Sequence, residues 1–290
     1  MTKNWFKETL HKDWQQQLEM QDVIYRDDNN LQSLIIFENK TFGRVLALDG
    51  VVQLTEKDEF IYHEMFAHVP ILAHGAVKHV LIIGGGDGGL LREVLRYKTI
   101  ESVDIIEIDE SVVTMCKKYF PMVEQGAFSD SRVTLHINDG AKYISQTSNT
   151  YDLILVDSTD PVGPAVCLFE SPFYQSCLTA LKEGGALITQ NGSTFSQTQE
   201  LVTTFQRMKH LTDLHGFYLS VVPTYIGGAM SHAWASNDFN LQAVSNDSIT
   251  ARLEASQLKM RYYNPAIHLS AFAIPQYILN QCQKGEQIDA

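Results

Sequence analysis

The chain has 290 residues, 44% of them hydrophobic, and its 22 basic and 34 acidic side chains give a formal net charge of −12. This length suits one large globular unit, or one large domain with a small one. No run reaches the ~18 apolar residues that a membrane-spanning helix needs, so we expect no membrane span. The negative charge disfavours nucleic acid as a partner. It indicates either solubility alone or the steering of a small cation towards the protein.

The first twenty residues carry charged side chains throughout. We therefore expect no signal peptide there and a cytoplasmic protein. The cysteines are far apart, and no two of them are spaced as CxxC, so we expect reduced thiols and no metal site built from them. They are Cys116, Cys167, Cys177 and Cys282.

Residues 1–59 predict a small N-terminal antiparallel β domain. Short apolar runs alternate there with turn signals rich in Asp, Asn and Gly. The predicted strands are Val23–Tyr25, Leu34–Phe37, Val45–Leu48 and Val51–Leu54. From Asp58 to His74 apolar residues recur every three to four positions, which predicts a helix near the start of a second domain, residues 60–290.

From Val77 onward, strands alternate with helices, which predicts an α/β fold with a mainly parallel sheet covered on both faces. The predicted strands are His79–Ile83, Val103–Ile108, Val133–Ile137, Leu153–Val156, Ala186–Gln190, Phe217–Val222 and His232–Ala235. The predicted helices include Gly89–Tyr97, Glu110–Tyr119, Pro172–Leu181 and Ser196–Lys209. Ligands of such sheets bind beyond the carboxyl ends of the strands, so the residues after each strand are the candidates for chemistry.

The first of these strands runs into a glycine-rich loop, GGGDGG at residues 84–89, and a helix follows. Glycines there let the backbone turn sharply and approach a ligand closely. Gly84, Gly86 and Gly89 also match the dinucleotide pattern GxGxxG, and a glycine turn without a ligand is the plainer alternative. The motif alone does not decide between these readings.

Asp87, inside this loop, argues against a dinucleotide. A pyrophosphate at a helix start needs amide donors and no adjacent negative charge. A carboxylate there would repel the pyrophosphate and would attract a ligand with a positive group. Asp87 could also cap the helix, and the two roles are compatible.

Acids also follow the second and third strands. Glu107 lies 107 − 89 = 18 residues after Gly89, where an acid usually binds a ribose diol, a plain edge charge being the alternative. Asp139 can accept a hydrogen bond from an adenine amine while the Gly140 amide bonds the ring, and a simple Asp-Gly turn is the alternative. Asp109 is expected to cap the next helix. Together these signals predict an adenosine site for a ligand with a cationic, sulfur-bearing tail.

Asp157 and Asp160 follow the fourth strand, in a loop shaped by prolines and glycine. We expect both acids to face the same crevice as the glycine loop. A capped turn would explain one acid, but two acids at this end of the sheet favour a functional role.

Several segments in fixed order resemble bacterial spermidine synthases, the polyamine aminopropyltransferase family, along nearly the whole chain. They are GRVLALDGVVQLTEKDEFIYHEMF at 43–66, VLIIGGGDGGLLREV at 80–94, residues 103–109, 151–164, 222–225 and 227–228, and RYYNPAIHLSAFAIPQY at 261–277. The resemblance implies a Rossmann-like, methyltransferase-type catalytic domain. It also implies a homodimer or homotetramer that transfers an aminopropyl group from decarboxylated S-adenosylmethionine to putrescine, with no cofactor and no metal.

The same resemblance implies roles for individual residues. Asp157 would be the general base, and Asp87 would repel the carboxylate of intact S-adenosylmethionine. The residues implied for the polyamine are Tyr62, His63, Asp87, Asp160, Gln190 and Tyr225. Those implied for the donor and for methylthioadenosine are Gln32, Gly84, Gly86, Asp87, Glu107, Asp139, Gly140 and Pro164. Without the family, each tyrosine would be read as packing and the lone histidine as structural.

One departure and several alternatives stay open at this point. Val166-Cys167 stands where relatives commonly carry Glu-Ser, in a loop that closes over the site in the family. The acceptor could be agmatine, cadaverine or spermidine. An amine methyltransferase and a nicotinamide dehydrogenase are further alternatives, both disfavoured by Asp87. A non-catalytic polyamine sensor would keep Asp160 but would not need Asp157.

Overall fold

The N-terminal part of the chain forms two small antiparallel sheets in a computed structural model that describes residues 3–28, 31–161 and 163–284. The first pairs β1 (Asn4–Lys7) with β2 (Gln17–Met20). The second contains, in chain order, β3 (Val23–Asp27), β4 (Leu34–Asn39), β5 (Gly43–Leu48) and β6 (Val51–Thr55). The antiparallel sheet predicted from sequence is thus confirmed. The β1–β2 hairpin was not predicted, because each of its strands buries a single apolar side chain, Phe6 or Leu18.

A seven-stranded sheet forms the centre of the rest of the chain. Its strands are β7 (His79–Gly84), β8 (Ser102–Glu107), β9 (Val133–Ile137), β10 (Tyr151–Asp157), β11 (Leu181–Ser193), β12 (Leu214–Ser220) and β13 (Met230–Ser236), in the order β12-β13-β11-β10-β7-β8-β9. Strands β7 to β11 are parallel, and β13 is antiparallel to both β11 and β12. The mainly parallel sheet is confirmed. Its strand order changes direction between β7 and β10, which is the place where ligands of such sheets bind.

Helices cover both faces of this sheet, as the alternating pattern predicted. One face carries α1 (Glu59–His74), α2 (Gly89–Leu95), α8 (Asn246–Ser256) and α9 (Pro265–Ala271). The other carries α5 (Gly140–Ile144), α6 (Ser171–Ala180), α7 (Thr198–Lys209) and α10 (Gln276–Lys284). The C-terminal helices α8 to α10 were not among the predicted elements. Within the described ranges, no helix has the length and hydrophobicity that a bilayer crossing requires.

The four-stranded sheet packs against the edge of the larger unit. Side chains of β4 to β6 bury an apolar cluster with α3 (Glu110–Tyr119), α4 (Pro121–Glu124) and Phe120 between them. Burial of such side chains from water is the main force that holds the two units together. The sheet ends at Thr55 and α1 begins at Glu59. The division of the chain between residues 59 and 60 stays a prediction.

Helix α1 is buried on nearly all sides, including four ionisable side chains: Glu59, His63, Glu64 and His68. Buried ionisable groups are retained only where hydrogen bonds or opposite charges compensate for the lost water. Each of the four has such a partner. Helix α1 therefore carries a polar network through the core as well as an apolar surface.

The glycine loop begins with Gly84, where any side chain would collide with the backbone of the neighbouring strand. Gly84 has φ +83°, and a Cβ at this position would lie 2.1 Å from the carbonyl oxygen of Asp157 on β10. The loop is therefore held directly against the end of the neighbouring strand, and Gly85 N donates to that same carbonyl at 3.0 Å. The glycine here serves the contact between two strands as much as any contact with a ligand.

Gly84→Ala is expected to destabilise the fold through this contact. Gly126 is a matched control, because it has φ +79° and no atom within 4 Å of a built Cβ. Both variants suffer the left-handed backbone, so their difference isolates the collision. We expect Gly84→Ala to lower the free energy of unfolding by roughly 1–3 kcal/mol more than Gly126→Ala. Urea unfolding followed by circular dichroism measures both, and equal losses would contradict this reading.

Candidate active site

A cavity of about 310 Å³ opens at the carboxyl ends of the central strands, with β5 and β6 of the smaller sheet on its opposite wall. It collects the residues that the sequence predicted for the site, whether they come from loops, strands or α1. These are Gln32, Tyr62, His63, Gly84, Gly86, Asp87, Glu107, Asp139, Gly140, Asp157, Asp160, Gln190 and Tyr225. Pro164 is also a predicted residue, but its side chain lies outside the described part of the chain.

Asp157 stands at the end of β10, next to Gly84 of β7. Its Oδ1 accepts a hydrogen bond of 2.7 Å from the hydroxyl of Tyr62. Its Oδ2 is buried, and no described residue donates to it. Burial, and then the nearby charge of Asp87, raise the pKa of Asp157 to about 7. This carboxylate is suited to accept a proton near neutral pH.

Asp87 holds the middle of the glycine loop. Its Oδ1 accepts the amide hydrogen of Gly89 at 2.6 Å and lies 3.4 Å from Nε2 of His63. The backbone N-cap of α2 is Gly88, with φ +78°. Asp87 therefore bonds the start of this helix and faces the cavity, so the two roles considered from sequence coexist. Although burial opposes it, the charge of His63 lowers the pKa of Asp87.

His63 lies between two carboxylates. Its Nδ1 is 2.6 Å from Oε2 of Glu59, and its Nε2 faces Asp87. Burial would lower the pKa of His63, but Asp87 and Glu59 outweigh it and raise that pKa to about 10. The imidazole is therefore a cation at neutral pH: its Nδ1 donates to Glu59, and its Nε2 forms an ion pair with Asp87.

Ligand-type atoms of His63, Asp87 and Asp157 all lie within 4.8 Å of one another, a spacing that could hold a metal ion. A metal needs the lone pair of a neutral imidazole. A cationic His63, with a proton on each ring nitrogen, does not offer one. The two aspartates instead suit an organic ammonium group, which donates hydrogen bonds to carboxylates. That the site works without metal stays a prediction.

Glu107 ends β8 on the far side of the glycine loop. Its Oε1 accepts the amide of Asp109 at 2.9 Å, and a Cβ at Gly86 would lie 2.8 Å from its Oε2. Burial raises the pKa of Glu107 to about 7 despite the backbone amides that lower it. Asp109 caps α3 through Ser111 N, as predicted. The position of Glu107 in the cavity fits the diol of a ribose.

Asp139 and Gly140 lie where β9 gives way to α5. The Oδ1 of Asp139 accepts the amides of Ala141 and Lys142 at 2.8 and 3.1 Å, so this acid caps α5. Both Asp139 and Gly140 also line the cavity. The Asp-Gly turn weighed from sequence is present, and it places a carboxylate and a backbone amide side by side, as recognition of an adenine edge requires.

The opposite end of the cavity carries a second acidic group. Asp160 Oδ1 accepts a hydrogen bond of 2.5 Å from Gln197 Nε2, and burial raises the pKa of Asp160. The hydroxyl of Tyr225 donates to the carbonyl of Gln53 on β6. Gln190 is 5% exposed, and its Oε1 has no partner among the described residues. This oxygen is free to accept a hydrogen bond from a ligand in the cavity.

Sequence reasoning missed several polar residues of this cavity, among them Glu8, Gln53 and Gln197. Gln197 could have been found, because it follows the end of β11 and the rule of strand ends applies to it. Glu8 and Gln53 gave no signal. They reach the cavity only because the N-terminal sheets dock there, and Glu8 is fixed by accepting Val52 N at 3.0 Å.

Comparison with family models covers most of the chain. Residues 59–246 match the model described as the spermine/spermidine synthase domain. Residues 4–56 match the model described as the spermidine synthase tetramerisation domain.

Individual relatives agree with these models. Polyamine aminopropyltransferases of Shigella sonnei (strain Ss046) and of Escherichia coli (strain K12 / DH10B) are each 51% identical over 276 residues, which cover 95% of this chain and 96% of theirs. A spermidine synthase in complex with the transition-state analogue AdoDATO superposes with a TM-score of 0.92 at 35% identity, covering 97% of this chain and 95% of that chain. The Thermotoga maritima spermidine synthase superposes with a TM-score of 0.88 at 34% sequence identity, covering 97% of this chain and 94% of that chain. The chain therefore belongs to the spermidine synthase family of polyamine aminopropyltransferases.

Proposed function

We propose that this enzyme transfers the aminopropyl group of decarboxylated S-adenosylmethionine to putrescine, giving spermidine and S-methyl-5′-thioadenosine. The observation that carries the proposal is the buried Oδ2 of Asp157, a cavity-lining residue, because no described residue donates a hydrogen bond to this atom. One half has groups suited to an adenosine, and the other has groups suited to an amine. Family membership supports the type of reaction, and the cavity supports this pair of substrates.

The donor is proposed to lie along the glycine loop. Glu107 would bind the ribose diol, while Asp139 and the Gly140 amide would bind the adenine edge. Gln32 and Pro164 are assigned to the same half by the family resemblance. Asp87 would receive the ammonium end of the aminopropyl chain, because its carboxylate is held ionised beside His63. The methylene next to the sulfonium then lies near Asp157.

The acceptor is proposed to lie along the aromatic rings of Tyr62 and Tyr225, which pack edge to face at 5.8 Å between centroids and both line the cavity. An aliphatic diamine fits against such an apolar wall. Asp160 would hold its distal ammonium, with Gln190 beside the chain. A primary amine has a pKa near ~10 and is mostly protonated at neutral pH. It must therefore lose a proton before it can attack.

Asp157 would take that proton. The amine nitrogen then forms a bond to the methylene carbon, the carbon–sulfur bond breaks, and its electron pair stays on sulfur in neutral methylthioadenosine. General-base assistance of this kind contributes about 10²–10⁴ in rate. Alignment of nitrogen, carbon and sulfur supplies much of the remainder. The sulfonium is already an activated leaving group, so we propose no cofactor and no metal.

We also propose that the enzyme is a homo-oligomer without a nucleic-acid partner. The match of residues 4–56 to a tetramerisation domain supports the first part, and the net charge of −12 supports the second. The cytoplasmic location remains a prediction from the sequence.

Product analysis tests the acceptor. The protein is incubated with decarboxylated donor and putrescine, cadaverine, agmatine or spermidine, and the products are identified by mass spectrometry. We expect spermidine from putrescine as the main product, and a decrease of about 10²–10⁴ in kcat for Asp157→Asn. Asp152→Asn is the control, because Asp152 lies on the same strand but outside the cavity, accepting Lys78 N and His79 N. If another amine gives a larger kcat/KM, that amine replaces putrescine as the proposed acceptor. If no amine gives a product, the transferase proposal is refuted.

The pH profile tests the role of Asp157. A base acts in its ionised form, so kcat/KM for putrescine should rise as the pH increases through about 7, the pKa of this buried carboxyl. The rise in kcat should come at lower pH, because the bound cations lower that pKa. Glu107 has a similar pKa, so Glu107→Gln is the control that should keep the rise. A flat kcat/KM between roughly pH 6 and 8 would contradict the assignment.

Asp87→Asn tests donor selection. The amide can still accept the Gly89 hydrogen bond but no longer attracts an ammonium or repels a carboxylate. We expect KM for the decarboxylated donor to rise about 10- to 100-fold and discrimination against intact S-adenosylmethionine to fall. Competition between the two donors measures the ratio of their kcat/KM values. Asp109→Asn, in an acid that caps α3, is the control. Unchanged turnover together with unchanged selectivity would defeat the prediction.

A further inference from the structure

A row of charges of alternating sign, buried except at its two partly exposed ends, joins α2 to α1 and ends at the glycine loop. In order it comprises Arg96, Glu93, Arg92, Glu59, His63 and Asp87. The successive nitrogen–oxygen distances are 2.5, 2.9, 3.0, 2.6 and 3.4 Å. The four inner members each have an opposite charge on either side, and the last two members, His63 and Asp87, line the cavity.

The centre of the row is the Glu59 carboxylate. Both of its oxygens are held by the Arg92 guanidinium, at 3.3 Å from Nη1 and 3.0 Å from Nη2. Arg92 is fixed in turn, because its Nη1 donates to the carbonyl of Val123 at 2.5 Å. A two-pronged contact of this kind sets direction as well as charge. Glu59 can therefore present an oxygen to His63 in only one orientation.

The groups that face His63 come from four elements. They are Glu59 on its own helix, Asp87 on the glycine loop, Arg92 on α2 and Asp157 at the end of β10. The carboxylates of Glu59 and Asp87 each face one ring nitrogen. Arg92 contacts Glu59 rather than the ring. This arrangement fixes the rotation of the imidazole and requires a proton on both nitrogens.

We propose that Glu59, held by Arg92, is a positioning residue of the site: it locks His63 as a doubly donating ring, and His63 then fixes the Asp87 carboxylate that receives the cationic end of the donor. This inference rests on the function proposed above. Glu59 does not line the cavity, so it acts through His63 alone. Without it the ring would lose the proton on Nδ1 and with it the positive charge, so Nε2 would face Asp87 as a neutral donor and would hold that carboxylate less firmly.

Glu59→Gln tests the proposal in two independent ways. Nitrogen NMR of the histidine ring reports whether both nitrogens of His63 carry protons, and we expect the wild type to show this at pH 7.5 and the variant to lose it. Kinetically, we expect KM for the decarboxylated donor to rise about 10- to 100-fold, with a smaller change in kcat. Arg92→Lys keeps the charge but loses the two-pronged contact, so it should give a smaller shift in the same direction and serves if Glu59→Gln does not fold.

Glu64→Gln is the matched control. Glu64 is also a buried acid of α1, but it accepts the backbone amides of Arg261, Tyr262 and Tyr263 at 2.8 Å and does not contact His63. We expect this variant to lower the melting temperature while the His63 spectrum and the donor KM stay unchanged. A general loss of stability is thereby separated from a loss of positioning.

A double variant completes the test. If Glu59 acts through His63, Glu59→Gln should add nothing to the donor KM in a His63→Gln background. Additive effects, or a folded Glu59→Gln variant with wild-type His63 signals and wild-type KM, would overturn the proposal. Failure of the proposed function is a different result: the wild type would form no aminopropylated amine, and the ring spectra would still show whether Glu59 controls His63.

Discussion

Transfer of a carboxylate from water into a protein interior costs free energy, and this enzyme places several carboxylates around one cavity. The hydrogen bonds and charges around each carboxylate offset this cost to different degrees, and they thereby set its pKa. Asp87 has a cationic ring and an amide hydrogen on one oxygen, so its pKa falls. Asp157, in the same cluster, has one tyrosine hydroxyl on one oxygen and no described donor on the other, so its pKa rises. Two neighbouring acids thereby acquire opposite pKa shifts, which suit the anchor and the base that the proposed function assigns to them.

Helix α1 supplies the side chains that make the surroundings of Asp87 and Asp157 different. Tyr62 and His63 are adjacent in its sequence, and they reach the base and the anchor respectively. Glu59, one turn earlier, is on the same side as His63. Glu64 faces away from them and binds the C-terminal segment of the chain. The burial of this helix on nearly all sides is therefore linked to catalysis, because it keeps water from screening the charges that set the two pKa values.

The strand ends were the part of the site that the sequence could predict. Parallel strands bring their carboxyl ends to one edge, so Gly84, Glu107, Asp139 and Asp157 could be placed together from the spacing of apolar runs. Their roles as base or ligand came from the family resemblance. The capping bonds of Asp109 and Asp139 also follow from local rules, which need no knowledge of the tertiary fold.

What escaped prediction depends on long-range docking. Glu8 and Gln53 reach the cavity through the packing of the small sheets, and their neighbours in sequence carry no hint of it. The contact between Glu59 and Arg92 joins residues that lie 33 positions apart on two helices. The C-terminal helices were not predicted: α8 and α9 pack on the same face of the sheet as α1, and α10 packs beside α7 on the other face. The local pattern of apolar residues predicts where strands end. The partners of buried charges depend on how the helices pack together in the tertiary structure.

The cationic state of His63 has a consequence for where protons travel. A ring that already carries both of its hydrogens has no vacancy for another, so it offers no relay from the reacting amine to bulk solvent. Under the proposed mechanism, the proton that the amine gives up to Asp157 would leave through the cavity, which Asp157 itself lines. Loss of that proton would then be coupled to the release of the products.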